Sequence, residues 1–206
     1  MINIDKILKK LSMIRPVFNS EADFQFNFAW QLKLEYPEAD IRLEYINNKI
    51  KDMHIDIFIL LEGKVIPIEL KYKTKSCTCI YMDEDFHLKN HAAQLLGRYD
   101  FIRDIERIER CKSNFENFCE GYAIMITNDS SYYNVPISTK ETICDDFRIH
   151  HNKILPFGPR WKGNPSIGTT KGREKEMNFT IEHCFKWEEY SKVEDIIFKI
   201  VKIKII

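Results

Sequence analysis

The chain has 206 residues, 44% of them hydrophobic, and its 31 basic side chains equal its 31 acidic ones in number. This length and apolar content are typical of one compact domain, and the zero net charge argues against a protein that holds nucleic acid through a general positive field. No apolar run is long enough to span a membrane, no signal-peptide core is present, and the six cysteines form no zinc pattern, so a cytoplasmic protein with free thiols is expected.

Two helices are predicted at the start of the chain. Isoleucine and leucine recur at helical spacing from Ile4 to Ile14, before Arg15-Pro16 ends the pattern. A second helix is predicted from Ser20, a favourable N-cap, to about residue 36. Glu21 in its first turn precedes the apolar stripe, so its carboxylate either faces the interior or is simply favoured there by the helix dipole.

Three strands of an antiparallel meander are predicted next, over residues 41–46, 54–60 and 65–73. Alternation places Glu69 and Lys71 on one face of the third strand, with Cβ atoms roughly 6.5 Å apart. Strand pairing would bring Asp56 of the second strand within ligand distance of Glu69. Two such carboxylates suit Mg²⁺, and a lysine beside them can orient a bound water or offset transition-state charge. The alternative is a surface hairpin with an ordinary Glu69–Lys71 ion pair.

The pattern of Asp56, twelve residues, then Glu69-Leu70-Lys71 resembles the active-site signature of the PD-(D/E)XK, or restriction-endonuclease-like, nuclease superfamily. Ile55 stands where the signature is named for proline, a position that varies in the superfamily. The resemblance implies that Asp56, Glu69 and the backbone carbonyl of Leu70 hold Mg²⁺ or Mn²⁺ and that Lys71 positions the attacking water. It also implies that Glu21, on the helix before the first core strand, adds an acid to the metal site.

A long helix is predicted over residues 83–110, because three acidic residues open it and Leu88, Leu95 and Ile102 follow at seven-residue intervals. Gln94 lies on a second apolar line of this helix, so its amide is expected to border the core. It is either a core amide bonded to backbone or a residue that supports a catalytic acid or contacts phosphate. Gln94-Leu95 with Tyr99 is similar to the glutamine-bearing helix of RecB-type superfamily members, although the spacing to the tyrosine differs by one.

The run GYAIMIT at residues 121–127 predicts a buried strand, which a right-handed crossover would place parallel to the third strand. The resulting order, αβββαβ, is the core of the resembled superfamily. The predicted fold is α/β, with a mixed central sheet flanked by helices, in a single domain spanning residues 1–206. Its core covers about 17–130, and 131–206 form a C-terminal, β-rich elaboration in which residues 179–190 and the tail add strands to one sheet edge. The stretches GYAIMITNDSSYY and GTTKGRE also resemble an uncharacterised group of prokaryotic proteins with the same signature.

Between residues 147 and 173 the chain carries six basic residues and no acid, with glycines and Trp161 interleaved. Such a segment suits a phosphate backbone, although a solvated loop can have the same composition. The residues predicted to bind nucleic acid are Arg160, Lys162, Lys171 and Arg173 in this segment, and Lys73 and Lys75 at the end of the Glu69 strand.

The sequence therefore predicts a Mg²⁺- or Mn²⁺-dependent nuclease that hydrolyses DNA in preference to RNA. Its predicted catalytic residues are Asp56, Glu69, Lys71, Glu21 and Gln94. The alternative is a nuclease-fold protein that binds nucleic acid or acts as a scaffold without turnover, and retention of all three signature residues argues against it. No membrane partner is expected, and a homodimer is compatible with the sequence.

Overall fold

The computed structural model describes residues 1–47, 53–138 and 140–206. A single turn of 3₁₀ helix covers Asp145–Phe147. The helices and strands are α1 (Ile4–Ile14), α2 (Glu21–Glu35), β1 (Asp40–Ile46), β2 (His54–Leu61), β3 (Lys64–Lys73), β4 (Cys77–Tyr81), β5 (Glu84–Leu88), α3 (Gln94–Asn114), β6 (Gly121–Thr127), α4 (Ile167–Thr170), β7 (Trp187–Val193) and β8 (Ile196–Ile205).

A mixed sheet of six strands in the order β1-β2-β3-β6-β8-β7 forms the centre of the fold. Strands β1, β2 and β3 are an antiparallel meander, because each is joined to the next by a short connection. Helix α3 carries the chain across the sheet, so that β6 lies parallel to β3. The predicted α/β class, with a mixed sheet flanked by helices, is confirmed at this general level.

Side-chain alternation along the strands gives the sheet an apolar layer on each face. Ile68 of β3 belongs to one cluster with Phe24 of α2 and Ile7 of α1. Met125 of β6 belongs to a second cluster with Ile105 of α3. The odd-numbered residues of β3 therefore face α3, and the even-numbered ones face α1 and α2. Helix α2 begins as predicted, with the Ser20 side chain accepting a hydrogen bond from the backbone N–H of Asp23.

The predicted helix over 83–110 is wrong in its first part, because residues 77–88 form a separate two-stranded hairpin, β4–β5. Met82 and Asp83 both have left-handed φ angles, of 49° and 62°, which makes them the two-residue turn between the strands. Phe86 and Leu88 are buried by strand alternation. The seven-residue spacing from Leu88 to Leu95 is therefore a coincidence across two elements, and the helix begins at Gln94.

The tail extends the sheet from the β6 side, as predicted. Strand β8 pairs antiparallel with the whole of β6, through its residues from Lys199 to Ile205, and β7 forms the outer edge. The predicted strand at 179–190 begins only at Trp187, because the preceding residues pair with the loop at 153–157. Phe185, for example, donates its N–H to the carbonyl of Lys153. Within the ranges that the structure describes, no helix is both long and apolar enough to cross a bilayer.

Candidate functional site

Strands β2 and β3 separate in the middle of the sheet. Their pairing ends at Ile57 opposite Ile68, whereas β3 stays paired with β6 as far as Lys73. Asp56, the next residue of β2 toward its start, therefore lies where the two strands diverge. The candidate site is built in this gap.

The divergence leaves backbone donors of β3 without a strand partner. Val65 bonds through its N–H and carbonyl to Asn117 and Cys119 on the β6 side. Because these directions alternate along a strand, the N–H groups of Leu70 and Tyr72 point to the β2 side. Buried donors of this kind need other acceptors.

Two carboxylates accept these hydrogen bonds. The Leu70 N–H donates to Asp56 Oδ2 at 2.6 Å, and the Tyr72 N–H donates to Glu21 Oε2 at 2.8 Å. Gln25 of α2 fixes the same stretch of β2, because its Nε2 donates to the Asp56 carbonyl at 2.8 Å. The structure thus brings Glu21 to the same strand edge as Asp56, with its carboxylate directed inward.

Glu69 and Lys71 are paired with α3 and not with each other. Glu69 is 1% exposed, and its Oε1 lies 2.7 Å from Nη1 of Arg107. The Lys71 ammonium lies 3.0 Å from Asp104 Oδ2 and 3.8 Å from Glu21 Oε1. The structure therefore lacks the simple Glu69–Lys71 ion pair that was the alternative interpretation of this stretch.

Asp104 and Arg107 belong to the cluster but were not identified from the sequence. They lie one turn apart on α3, with Arg107 Nη1 3.1 Å from Asp104 Oδ1. A signal was present, since Asp104 follows Phe101 by three residues and precedes Ile108 by four, which places a carboxylate on the apolar line of the helix. A buried acid on such a line needs a partner from another element.

The cluster carries more negative than positive charge. Four carboxylates face two cations, which leaves a formal excess of two negative charges when all are ionised. The carboxylates are those of Glu21, Asp56, Glu69 and Asp104, and the cations are Lys71 and Arg107.

Burial and this excess raise the pKa values of the acids. Burial raises the pKa of Glu69 well above its ordinary value, and the charges of Asp104 and Asp56 add to the effect. Burial likewise raises the pKa of Asp56 and raises that of Asp104 to about 6. For Lys71, burial acts to lower the pKa, but Asp104 and the other carboxylates outweigh it, so the pKa stays above its usual range. The carboxylates around Lys71 therefore favour its charged ammonium form.

The donor atoms of the gap fit a divalent ion held by two carboxylates. Among the described residues, no group of three or more His, Cys, Asp or Glu side chains is arranged to hold a metal ion. Mg²⁺ does not need such a group, since it is usually bound by one or two carboxylates and keeps several waters. Glu69 Oε2 is buried without a hydrogen-bond partner in the described ranges, and the Leu70 carbonyl accepts only a 3.3 Å bond from Lys71 in the same gap. Asp56, Glu69 and this carbonyl can therefore supply the protein's share of the ligands.

Gln94 lies apart from this cluster. Its Nε2 donates to Asp129 Oδ2 at 3.1 Å, beyond the end of β6. It precedes Asp104 by ten residues, which corresponds to about 15 Å along a helix axis. The structure therefore places Gln94 at a different part of the molecule from the predicted catalytic carboxylates.

The β3 lysines border a cleft beside the cluster. Lys73 and Glu21 line a cavity of about 350 Å³ together with His87, Lys89 and His91. Burial, followed by the charge of Lys73, lowers the pKa of the His91 imidazole. Lys75 follows β3, where its backbone N–H and carbonyl both bond to the Asn128 side chain.

Two basic residues of the segment at 147–173 form ion pairs with acidic residues from other parts of the chain. Lys162 pairs with Glu141 at 2.6 Å, and Arg173 donates two 2.9 Å hydrogen bonds to Asp100 on α3. Arg160 and Lys171 are exposed, and within the described ranges neither side chain has an ion pair. The segment contains no acidic residue, but in the folded protein acidic residues outside it neutralise part of its positive charge.

Comparison with known proteins gives no relative from which a role can be transferred. No protein-family model matches the chain. Neither the curated proteins nor the solved structures gave a match. The functional argument therefore depends on the chemistry of the chain's own residues.

Proposed function

We propose that this chain is a divalent-metal-dependent nuclease with a PD-(D/E)XK-type core, which hydrolyses phosphodiester bonds of nucleic acid, DNA in preference to RNA. One observation carries the proposal. Asp56, Glu69 and Lys71 meet where β2 and β3 diverge, in a cluster with two excess formal negative charges that is largely buried except at Glu21, whose side chain is 41% exposed. The order of α2, β1, β2, β3, α3 and β6 along the chain supports it, since this is the order expected of such a core.

The cost of the cluster favours a functional explanation. Removing several charged groups from water is expensive, and an apolar core of the same volume would often be at least as stable. Buried acids whose pKa values are raised by burial and by like charge are typical of functional sites. A bound divalent ion would cancel the formal charge excess, and the unpartnered Glu69 Oε2 would become one of its ligands.

Each residue then has a distinct role. The ion, when bound, polarises the scissile phosphate and lowers the pKa of a bound water. Asp56 and Glu69 hold it with the Leu70 carbonyl. Lys71, whose ammonium form the surrounding carboxylates favour, acts as a donor that orients water and offsets developing charge. Asp104, 3.0 Å from the Lys71 ammonium, is a positioning residue that fixes the direction of this donor.

The cleft beside the cluster offers a path for the substrate backbone. Lys73 follows Lys71 by two residues on the same strand and lines that cleft with Lys89 and His87. Lys75 continues the basic path past the end of β3. We expect the phosphates next to the scissile bond to lie along these side chains.

A second candidate function is a nuclease-fold protein that binds nucleic acid or acts as a scaffold without turnover. The observation that favours it is that two signature residues already have ion-pair partners on α3. Arg107 pairs with Glu69, and Asp104 pairs with Lys71. In that case the cluster would be a structural ion network. A divalent metal would then stabilise the protein little, and substitutions in the cluster would change only the stability of the fold.

Single-turnover cleavage separates the two candidates. The substrates are labelled single-stranded DNA, duplex DNA and RNA, each with Mg²⁺ or Mn²⁺. We expect Lys71→Ala to slow cleavage by about a hundredfold or more, as for loss of one preorganised electrostatic group, with metal affinity largely unchanged. Asp56→Ala and Glu69→Ala should lose metal binding and turnover together.

Lys204→Ala is the matched control, because Lys204 of β8 also pairs with a buried acid, Glu120, at 2.7 Å but lies outside the cluster. It should lower stability and leave the cleavage rate unchanged. The nuclease proposal fails if the wild-type protein cuts none of the substrates with either metal. It also fails if Lys71→Ala cuts as fast as the wild type.

A further inference from the structure

A second pocket, with polar and apolar lining residues, lies at the N-terminal end of α3, apart from the carboxylate cluster. It has a volume of about 580 Å³ and is lined by Gln94, Arg98, Ser130, Ser131 and Arg148, with apolar residues 135–137 at its rim. The nuclease proposal gives none of these side chains a role, and Gln94, which the sequence predicted to be catalytic, lies apart from the signature residues. The pocket therefore needs its own explanation.

Arg98 is the unusual residue of this pocket. It is only 7% exposed, yet no carboxylate among the described residues pairs with it. Its Nη1 donates to the Ser131 carbonyl at 3.4 Å, and its Nε is buried without a hydrogen-bond partner. A desolvated guanidinium without a counter-charge is costly, because the group cannot lose its proton to relieve the cost.

Asp129, which follows β6 near this pocket, accepts hydrogen bonds from other groups. Asp129 Oδ2 accepts from Gln94 Nε2 at 3.1 Å, and Oδ1 accepts from the Ser131 N–H at 3.0 Å. Arg148 brings a second guanidinium to the pocket, and its own partners are Asp145, in an ion pair at 3.5 Å, and Thr142 at 3.3 Å. Positive charge in the pocket is thus under-compensated.

The N-terminal end of α3 adds to the positive charge of the pocket. Helix α3 has 21 residues, and its N-cap is Ala93, which has no capping side chain, although its carbonyl accepts from the N–H groups of Leu96 and Gly97. The partial positive charge of such an end favours an anion. Gly97 allows the turn at 130–132 to approach this end closely, since a Cβ there would lie 2.3 Å from the Tyr132 hydroxyl.

We propose that this pocket binds a phosphate group through Arg98, Arg148 and the first turn of α3. Two guanidinium groups, the Ser130 and Ser131 side chains and a helix N-terminus offer more donors than a single carboxylate can use, whereas a phosphate accepts on several oxygens at once. Arg148 also lines a neighbouring cavity in which Lys140, Lys153 and Lys162 outnumber Asp145 and Asp146, so a phosphate attached to a larger anion can be accommodated. This site does not depend on the nuclease proposal.

The test measures inorganic phosphate binding to the full chain in EDTA, by ³¹P line broadening and by melting in phosphate against chloride at matched ionic strength. We expect saturable binding to the wild type. Arg98→Gln and Arg148→Gln should each bind at least about tenfold more weakly, as expected for loss of a charge-assisted hydrogen bond. Arg103→Gln is the matched control, because Arg103 lies on the same helix but pairs with Glu106 at 3.6 Å, and it should bind like the wild type.

A competition arm distinguishes the sources of the phosphate. A 5′-phosphorylated oligonucleotide that competes better than its 5′-hydroxyl counterpart assigns the pocket to a nucleic-acid end, and equal competition by both assigns it to backbone phosphodiesters. Failure of both oligonucleotides to compete assigns the pocket to a small phosphorylated molecule. If Arg98→Gln does not fold, Arg148→Gln decides alone, since that side chain is 23% exposed. Absence of saturable binding to the wild type, or equal binding by the variants and the control, overturns the proposal.

Discussion

Asp104 gives the sharpest test of the charge excess in the cluster. Burial raises the pKa of this carboxyl from 3.8 to about 6, although Lys71 opposes the change. The folded protein therefore binds this proton more tightly than the unfolded chain does. The resulting stabilisation is fully present below about pH 4 and is lost as the pH rises through 6, and a difference of this size corresponds to about 3 kcal/mol at pH 8.

Asp104→Asn removes the titration while keeping the shape of the side chain. Without metal, we expect the variant to exceed the wild type in unfolding free energy by up to about 3 kcal/mol at pH 8, and the gain should disappear near pH 4. Urea unfolding in EDTA at pH steps between 4 and 8 measures this difference. Asp100→Asn is the control, because Asp100 lies on the same helix but pairs with Arg173 at the surface, and its effect should not follow the same pH course.

Metal should act on the same charge excess with the opposite pH dependence. Protons compete with a cation for Asp56 and Glu69, so Mn²⁺ should stabilise the wild type more at pH 8 than at pH 5. Asp56→Asn should remove most of that gain.

Two outcomes would refute the reasoning about Asp104. One is an Asp104→Asn variant that is less stable than the wild type at pH 8, and the other is a gain in its stability that does not depend on pH.

Three further predictions concern other parts of the molecule. Arg107→Met leaves a buried carboxylate without its cation, so urea unfolding at pH 8 should show a loss of about 3–5 kcal/mol, and equal stability would contradict the proposed network. Gly97→Ala should cost about 1–3 kcal/mol in thermal melts, because the added Cβ meets the Tyr132 hydroxyl. Combining it with Tyr132→Phe should restore most of the loss, and a purely additive result would exclude this clash. Arg160→Ala with Lys171→Ala should leave the fold intact but flatten the salt dependence of DNA binding by about 1.8 in log–log slope if both contact phosphates. An unchanged slope in fluorescence anisotropy would make this segment an ordinary loop.

Those parts of the fold that depend on local periodicity could be predicted from the sequence. Strict alternation defined β2 and β3, and Ser20 marked the start of α2. The parallel placement of β6 followed from the handedness of a crossover, which is a general property of the chain. Asp56, Glu69 and Lys71 could be grouped because their relative positions depend only on two adjacent strands.

Features that depend on tertiary contacts could not be predicted. The hairpin at 77–88 was missed because Leu88 continued a helical interval by chance, and no glycine marked its turn at Met82-Asp83. The pairing of Lys71 with Asp104 joins a strand to a helix and has no counterpart in the sequence pattern of either. The acids that pair with Lys162 and Arg173 lie outside the basic segment, so a window that counts charges along the chain cannot see them.

The position of β8 between β6 and β7 has a consequence for the order of folding. Strand β6 is buried at all seven positions, and its second neighbour, β8, comes much later in the sequence. Until β8 docks, a folding intermediate that has already formed β3 and β6 exposes an apolar, uncharged strand edge. Such an edge can pair with another copy of the chain, so refolding yield should fall as protein concentration rises.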